Sequence, residues 1–178
     1  MPLTILHYGV AYLIGKWKQS VSFPGLIVSS MMSDVERLIY LFTDNPSGRG
    51  LLHSLFGVAT LGTAISFLFT IYAYPAAISV IFKVEKKKTT EKCRFSKGLF
   101  AACLSGGVLH VLVDSLHHEF NPTLYPFMND SFDAFVLFSN WQLATIIVYS
   151  VFSMLFFTIF VWEAVKGTEG FWNRVLVD

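Results

Sequence analysis

Charge is scarce in this chain. Lysine, arginine, aspartate and glutamate supply 14% of its 178 residues, where a soluble domain carries about a quarter. That shortage, set beside 54% hydrophobic residues and 18 phenylalanines, argues against a water-soluble domain and predicts one integral membrane domain over residues 1–178. The net charge of +1 gives no electrostatic ground for binding nucleic acid. Cysteine is nearly absent. Cys93 lies in a lysine-rich segment and Cys103 in an apolar run, so the pair has no metal spacing and no disulfide is expected. There is no internal repeat and no low-complexity tract. The opening MPLTILHYGVAYLIGKWK lacks the basic n-region of a signal peptide and reads as part of the mature protein.

Long apolar runs are what the chain has in quantity. Crossing a bilayer takes about 20 apolar residues, and three stretches qualify. Leu51 to Phe82 carries no formal charge, Gly98 to Leu116 is broken only by His110 and Asp114, and Trp141 to Val165 has Glu163 near its end. Two weaker segments precede them: Leu3 to Gly15, which is short, and Phe23 to Phe42, which contains Asp34, Glu36 and Arg37. The expected architecture is all-α and membrane-embedded, a bundle of about five helices in which the three long spans shield the two shorter N-terminal ones from lipid. Pro75 predicts a kink in the first long span. The terminal FWNRVLV reads as a short interfacial helix with Trp172 at headgroup depth.

Basic residues orient the bundle. Lys83, Lys86, Lys87, Lys88, Lys92, Arg94 and Lys97 crowd one connection, which is expected to be cytoplasmic, as are Lys16, Lys18, Lys166 and Arg174. The connection from His117 to Asn140 has no lysine or arginine and is expected outside. Arg37 and Arg49 then fall on the outer side, against the rule. In this layout His7, Asp34, His53, His110 and Asp114 meet near the outer ends of four separate segments. His110, Asp114 and His117 or His118 form one helical stripe at i, i+4 and i+7 or i+8. Ionisable groups inside a membrane are costly and are usually kept for a function. Neutral imidazole with carboxylate suits zinc and related divalent ions, and such an ion would supply the counter-charge for Asp34 and Asp114.

Four blocks carry a family resemblance: MPLTILHYG with His7, SDVERL with Asp34 and Glu36, GRGLLHSL with His53 and Ser54, and HVLVDSLHHEFNPTLYPF with His110, Asp114, Tyr125, Pro126 and Phe127. In order and spacing the chain resembles the membrane-bound metal-dependent hydrolases, the group that includes the LexA-regulated inner-membrane hydrolases of bacteria. The likeness covers about residues 1–127. The pattern's first histidine in the third block is Gly48 here, its threonine is Leu52, and the proline before Asp34 is Ser33. His117 or His118 stands nearby as a substitute for the lost histidine. The family bears a distant likeness to zinc-dependent phospholipase C.

What the resemblance implies is a hydrolase with one or two divalent ions, zinc for preference, held by His7, Asp34, His53, His110 and Asp114. Glu36, or a carboxylate not needed for ligation, would act as general base, and Arg49 would stabilise a phosphate or carbonyl oxygen. Membrane lipid is the expected partner and a lipid-linked phosphoester the expected substrate class. Each residue also has a plainer reading. His7 can be interfacial, Asp34 can pair with Arg37 at a helix end, and His53 can begin a helix beside Arg49. His110 and Asp114 can be a hydrogen-bonded pair between helices. Glu36 can be paired with Arg37 or Arg49 behind the site. His117 and His118 are expected at headgroup level, in water. The alternative function is that of a non-catalytic structural or accessory membrane protein whose polar cluster, with or without a structural metal, holds the helices together. A transporter fits less well, because the polar groups crowd one side.

Overall fold

The computed structural model describes residues 4–18, 20–40 and 48–178. Leu3 and Phe42, the limits expected for the two weak segments, lie outside those residues. Among the described residues there is no strand. In chain order, a 3-10 turn at Thr4–His7 leads into α1 (Tyr8–Trp17), followed by α2 (Phe23–Met32) and α3 (Val35–Tyr40). A second 3-10 turn, Leu51–His53, precedes α4 (Leu55–Tyr72), α5 (Tyr74–Phe82), α6 (Lys86–Lys92), α7 (Lys97–Ser115), α8 (Trp141–Val165) and α9 (Phe171–Leu176). Polar residues start these helices where the sequence supplies them. Ser22, Ser54, Ser96 and Asn140 accept hydrogen bonds from the backbone N–H of Gly25, Gly57, Leu99 and Leu143, which satisfies donors that a first turn leaves open.

Helices α4, α7 and α8 are long and apolar enough to cross a membrane. The all-α membrane architecture expected from composition is therefore present, with two adjustments. The run Leu51 to Phe82 is not one kinked span. It divides into the 3-10 turn, α4 and α5, and Pro75 lies in the first turn of α5, where its missing N–H costs nothing. His53 consequently sits in a turn ahead of Ser54, not inside a helix. The run from Phe23 is likewise broken at Ser33–Asp34 into α2 and α3.

Helices α1 and α2 have ten residues each, about 15 Å at 1.5 Å per residue. That is half of an apolar core about 30 Å thick. Every residue of α2 except Met31 is buried. It lies against α7 through small side chains, which let two backbones approach closely in lipid. Gly25 faces Leu99 and Ala102, and Gly106 faces Ser29. Ser29 Oγ donates to Gly25 O at 2.8 Å and reaches across to Ala102 O at 3.3 Å. On its other side α1 packs on α8, with Gly9 against Leu155 and the Tyr8 ring against Phe156 and Phe160.

The lysine-rich end is closed by a buried charge. Glu163 accepts hydrogen bonds from Tyr12 Oη, from Lys166 Nζ at 2.7 Å and from Arg174 Nε at 2.8 Å. The side chains of Tyr8, Tyr74 and Lys16 donate to the carbonyls of Val175, Leu176 and Arg174. The expected terminal helix is α9, with Trp172 exposed and Val175 buried against the bundle. The His110–Asp114 end of α7 points the opposite way.

Adding a Cβ at Gly106 would place it 2.0 Å from Ser29 Oγ and 3.0 Å from Leu26 O. Gly106→Ala is expected to push α2 from α7 and cost about 2 kcal/mol. The check is a lower Tm of the detergent-purified protein, with Gly62→Ala as a control, because Gly62 has a helical φ of −60° and an added Cβ there would come no closer than 3.4 Å to the atoms around it.

Candidate metal centre

Asp114 lies in the last turn of α7 and is 2% exposed. Its Oδ2 is 2.6 Å from Arg49 Nη2, 3.4 Å from His110 Nε2 and 4.0 Å from His53 Nε2. Its Oδ1 is 3.3 Å from His7 Nε2 and 3.7 Å from His118 Nε2. Asp34 Oδ1 stands 3.5 Å from His53 Nε2 and 3.9 Å from His110 Nε2. The rings of His7 and His110 are 4.1 Å apart. All five residues singled out as ligands therefore come together, each presented by a chain reversal or a helix end. His7 closes the turn before α1, Asp34 lies between α2 and α3, and His53 closes the turn before α4. His110 and Asp114 are one turn apart on α7.

The histidines are held from behind. His110 Nδ1 is 2.8 Å from Ser30 O and His53 Nδ1 is 2.9 Å from Glu36 Oε2. Those oxygens only accept, so each Nδ1 carries the proton, and in a neutral ring Nε2 presents a lone pair. Backing of this kind is what orients histidine ligands in metal sites. Glu36 also accepts from the backbone N–H of Gly50 at 2.9 Å and of Leu52 at 3.1 Å. One carboxylate thereby clamps the whole turn that carries His53. Gly57 lets that turn close, since a Cβ there would lie 1.7 Å from Leu51 O.

Both Asp34 oxygens, Asp114 Oδ1 and the Nε2 atoms of His53 and His110 are buried without a hydrogen-bond partner among the described residues. Unpartnered buried polar atoms are costly. Here they face one another, an arrangement that a shared positive centre would satisfy. Ligand atoms of His7, His110 and Asp114, and those of Asp34, His53 and His110, lie within 4.8 Å of one another. Two or three imidazole nitrogens with carboxylate oxygens form a donor set that fits zinc.

His117 and His118 depart from expectation. They are less exposed than a pair of histidines standing in water would be. His117 is 1% exposed and His118 is half-buried. The chain after α7 folds back over them, with Leu137 N–H donating to Leu116 O and Thr145 Oγ to His117 O. Burial, then the positive charge of Arg49, pushes the His118 imidazole down to about 2, and burial also lowers that of His117. Both are neutral near pH 7. The stripe spacing from His110 was the signal for His117. No spacing rule points to the carbonyl of Ser30.

Glu36→Ala would leave His53 Nδ1 and two backbone N–H groups without their acceptor. The expected cost is about 3 kcal/mol, read as a lowered Tm in detergent. An unchanged Tm would mean that the clamp does not hold the turn.

No curated protein and no solved structure matches the chain. A family model described as YdjM inner membrane protein matches residues 5–176. With three helices fit to cross a membrane, the chain is a multi-pass inner-membrane protein and belongs to the YdjM inner membrane protein family.

Proposed function

We propose that this protein is a membrane-embedded metal-dependent hydrolase. The observation that carries the reading is the set of Nε2 and carboxylate atoms from His53, His110, Asp34 and Asp114, without hydrogen-bond partners among the described residues, converging in the buried end of the bundle. His7, Asp34, His53, His110 and Asp114 would hold a divalent ion, zinc for preference. When bound, zinc supplies a water of pKa about 7 and polarises an ester oxygen. Arg49 is buried beside Asp114, where its guanidinium can take up charge developing on a phosphate oxygen. Glu36 has its oxygens occupied by His53, Gly50 and Leu52, so its part is to orient His53, not to accept a proton. Asp34 has neither oxygen hydrogen-bonded among the described residues, which leaves both for the ion. The absence of lysine and arginine from the connection 117–140 supports an outer-leaflet location, and a lipid or lipid-linked phosphoester is the substrate class that depth favours.

One contact favours a second reading. Arg49 meets Asp114 at 2.6 Å and supplies counter-charge by itself, as a structural knot between helices would require. Metal content and turnover separate the two. Detergent-purified protein is expected to retain zinc after extensive dialysis and to hydrolyse a phosphoester lipid. The His110→Ala, Asp114→Ala double variant should lose the ion, and its rate should fall by at least about 100-fold. A zinc-loaded protein inert on all phosphoester and ester lipids would favour the structural role. Sidedness has its own check. Buried Cys93 and Cys103 give little background, so Glu119→Cys should react with an impermeant maleimide in spheroplasts and Lys87→Cys only after lysis. The reverse pattern would put the site on the cytoplasmic side.

A further inference from the structure

We infer a second cation position, on the opposite oxygen of Asp114, with His117 and His118 as its nitrogen ligands. The inference rests on the metal-site reading given above and adds a distinct place to it. The Asp114 carboxylate divides its surroundings. Oδ2 faces Arg49, His110 and His53, whereas Oδ1 faces His7 and His118. Oδ1 is buried and makes no hydrogen bond among the described residues. A carboxylate with nitrogen donors gathered on each of its two oxygens has the form of a bridging ligand.

His117 and His118 are built for the outer half of that arrangement. Both Nε2 atoms are buried and lack a hydrogen-bond partner among the described residues. His117 Nδ1 donates to Val113 O at 3.0 Å, which leaves Nε2 as a lone pair needing a donor or a cation. The backbone N–H groups of His117 and His118 both reach Asp114 O at 3.2 Å. The turn that ends α7 therefore wraps the two rings, 4.1 Å apart, over the side chain of the aspartate they follow. Ligand atoms of the three residues lie within 4.8 Å of one another. Ligands of a tetrahedral zinc stand about 3.3 Å apart, so the 3.7 Å between His118 Nε2 and Asp114 Oδ1 needs a shift of only a few tenths of an ångström. A headgroup-level pair of histidines would be wet, and a purely structural pair would have partners on Nε2. His117 is buried and has none there among the described residues.

The test counts zinc. Full-length protein without a histidine tag is stripped with chelator in detergent, reloaded with zinc alone and assayed for bound ions by mass spectrometry. Two ions per chain are expected for the wild type and one for His117→Ala with His118→Ala. His117→Gln with His118→Gln, closer in volume, replaces the alanine pair if that pair unfolds. Asp34→Asn with His53→Ala should also hold one, the outer ion. Two ions in the His117/His118 variant, or one ion in both it and the wild type, would overturn the second position and leave the first standing. One ion in the wild type and none in that variant would place a single ion on His117 and His118 and overturn the paired arrangement. No ion in the wild type would remove both positions.

Discussion

A carboxylate sealed inside an apolar bundle needs positive charge or hydrogen-bond donors around it, because the cost of an uncompensated buried ion runs to several kcal/mol. Asp114 meets that demand with Arg49 on one oxygen and imidazoles on both. Each of those groups must then be brought to the same depth from a different part of the chain. The 3-10 turns ending at His7 and His53, the break between α2 and α3, and the fold-back after α7 are the local means of doing so. The requirement for buried compensation thus accounts for the least regular parts of an otherwise helical chain.

The two half-length helices serve the same demand. A full span would carry its polar terminus to the membrane surface. By ending after ten residues, α1 and α2 leave His7 and Asp34 well inside the bundle, next to His110. Close packing makes this tolerable: glycines and serines bring α2 onto α7, and the Ser30 carbonyl then accepts a hydrogen bond from His110 Nδ1. At the other end the Glu163 cluster ties α1, α8 and α9 together. The buried charged groups among the described residues are therefore gathered into two knots, one facing the lysine-rich segment and one away from it.

Much of this was legible in the residues. Hydropathy marks α4, α7 and α8, and the placement of lysines puts His7, Asp34, His53, His110 and Asp114 at one end, where the structure brings them together. What local pattern misses is tertiary. Apolar character alone cannot show that Leu51 to Phe82 breaks at Ala73, because both halves are equally greasy. The plainer readings put Arg49 beside His53 and Arg37 beside Asp34; the ion pair that forms is Arg49 with Asp114, which depends on how the turn at Leu51–His53 folds against α7. His117 and His118 look like the wet end of a helix until the chain beyond Leu116 is seen to return over them. Glu36 has the chemistry of a base and the position of a brace.

The short length of α1 and α2 also bears on how the protein is made. Insertion into a bilayer is read from segments of about 20 apolar residues, and neither helix is one. Their polar ends are tolerable in hydrocarbon only where α7 and α8 cover them. The two helices therefore reach their final depth as passengers of spans synthesised after them, and biogenesis of the amino-terminal third waits on the arrival of the carboxy-terminal half.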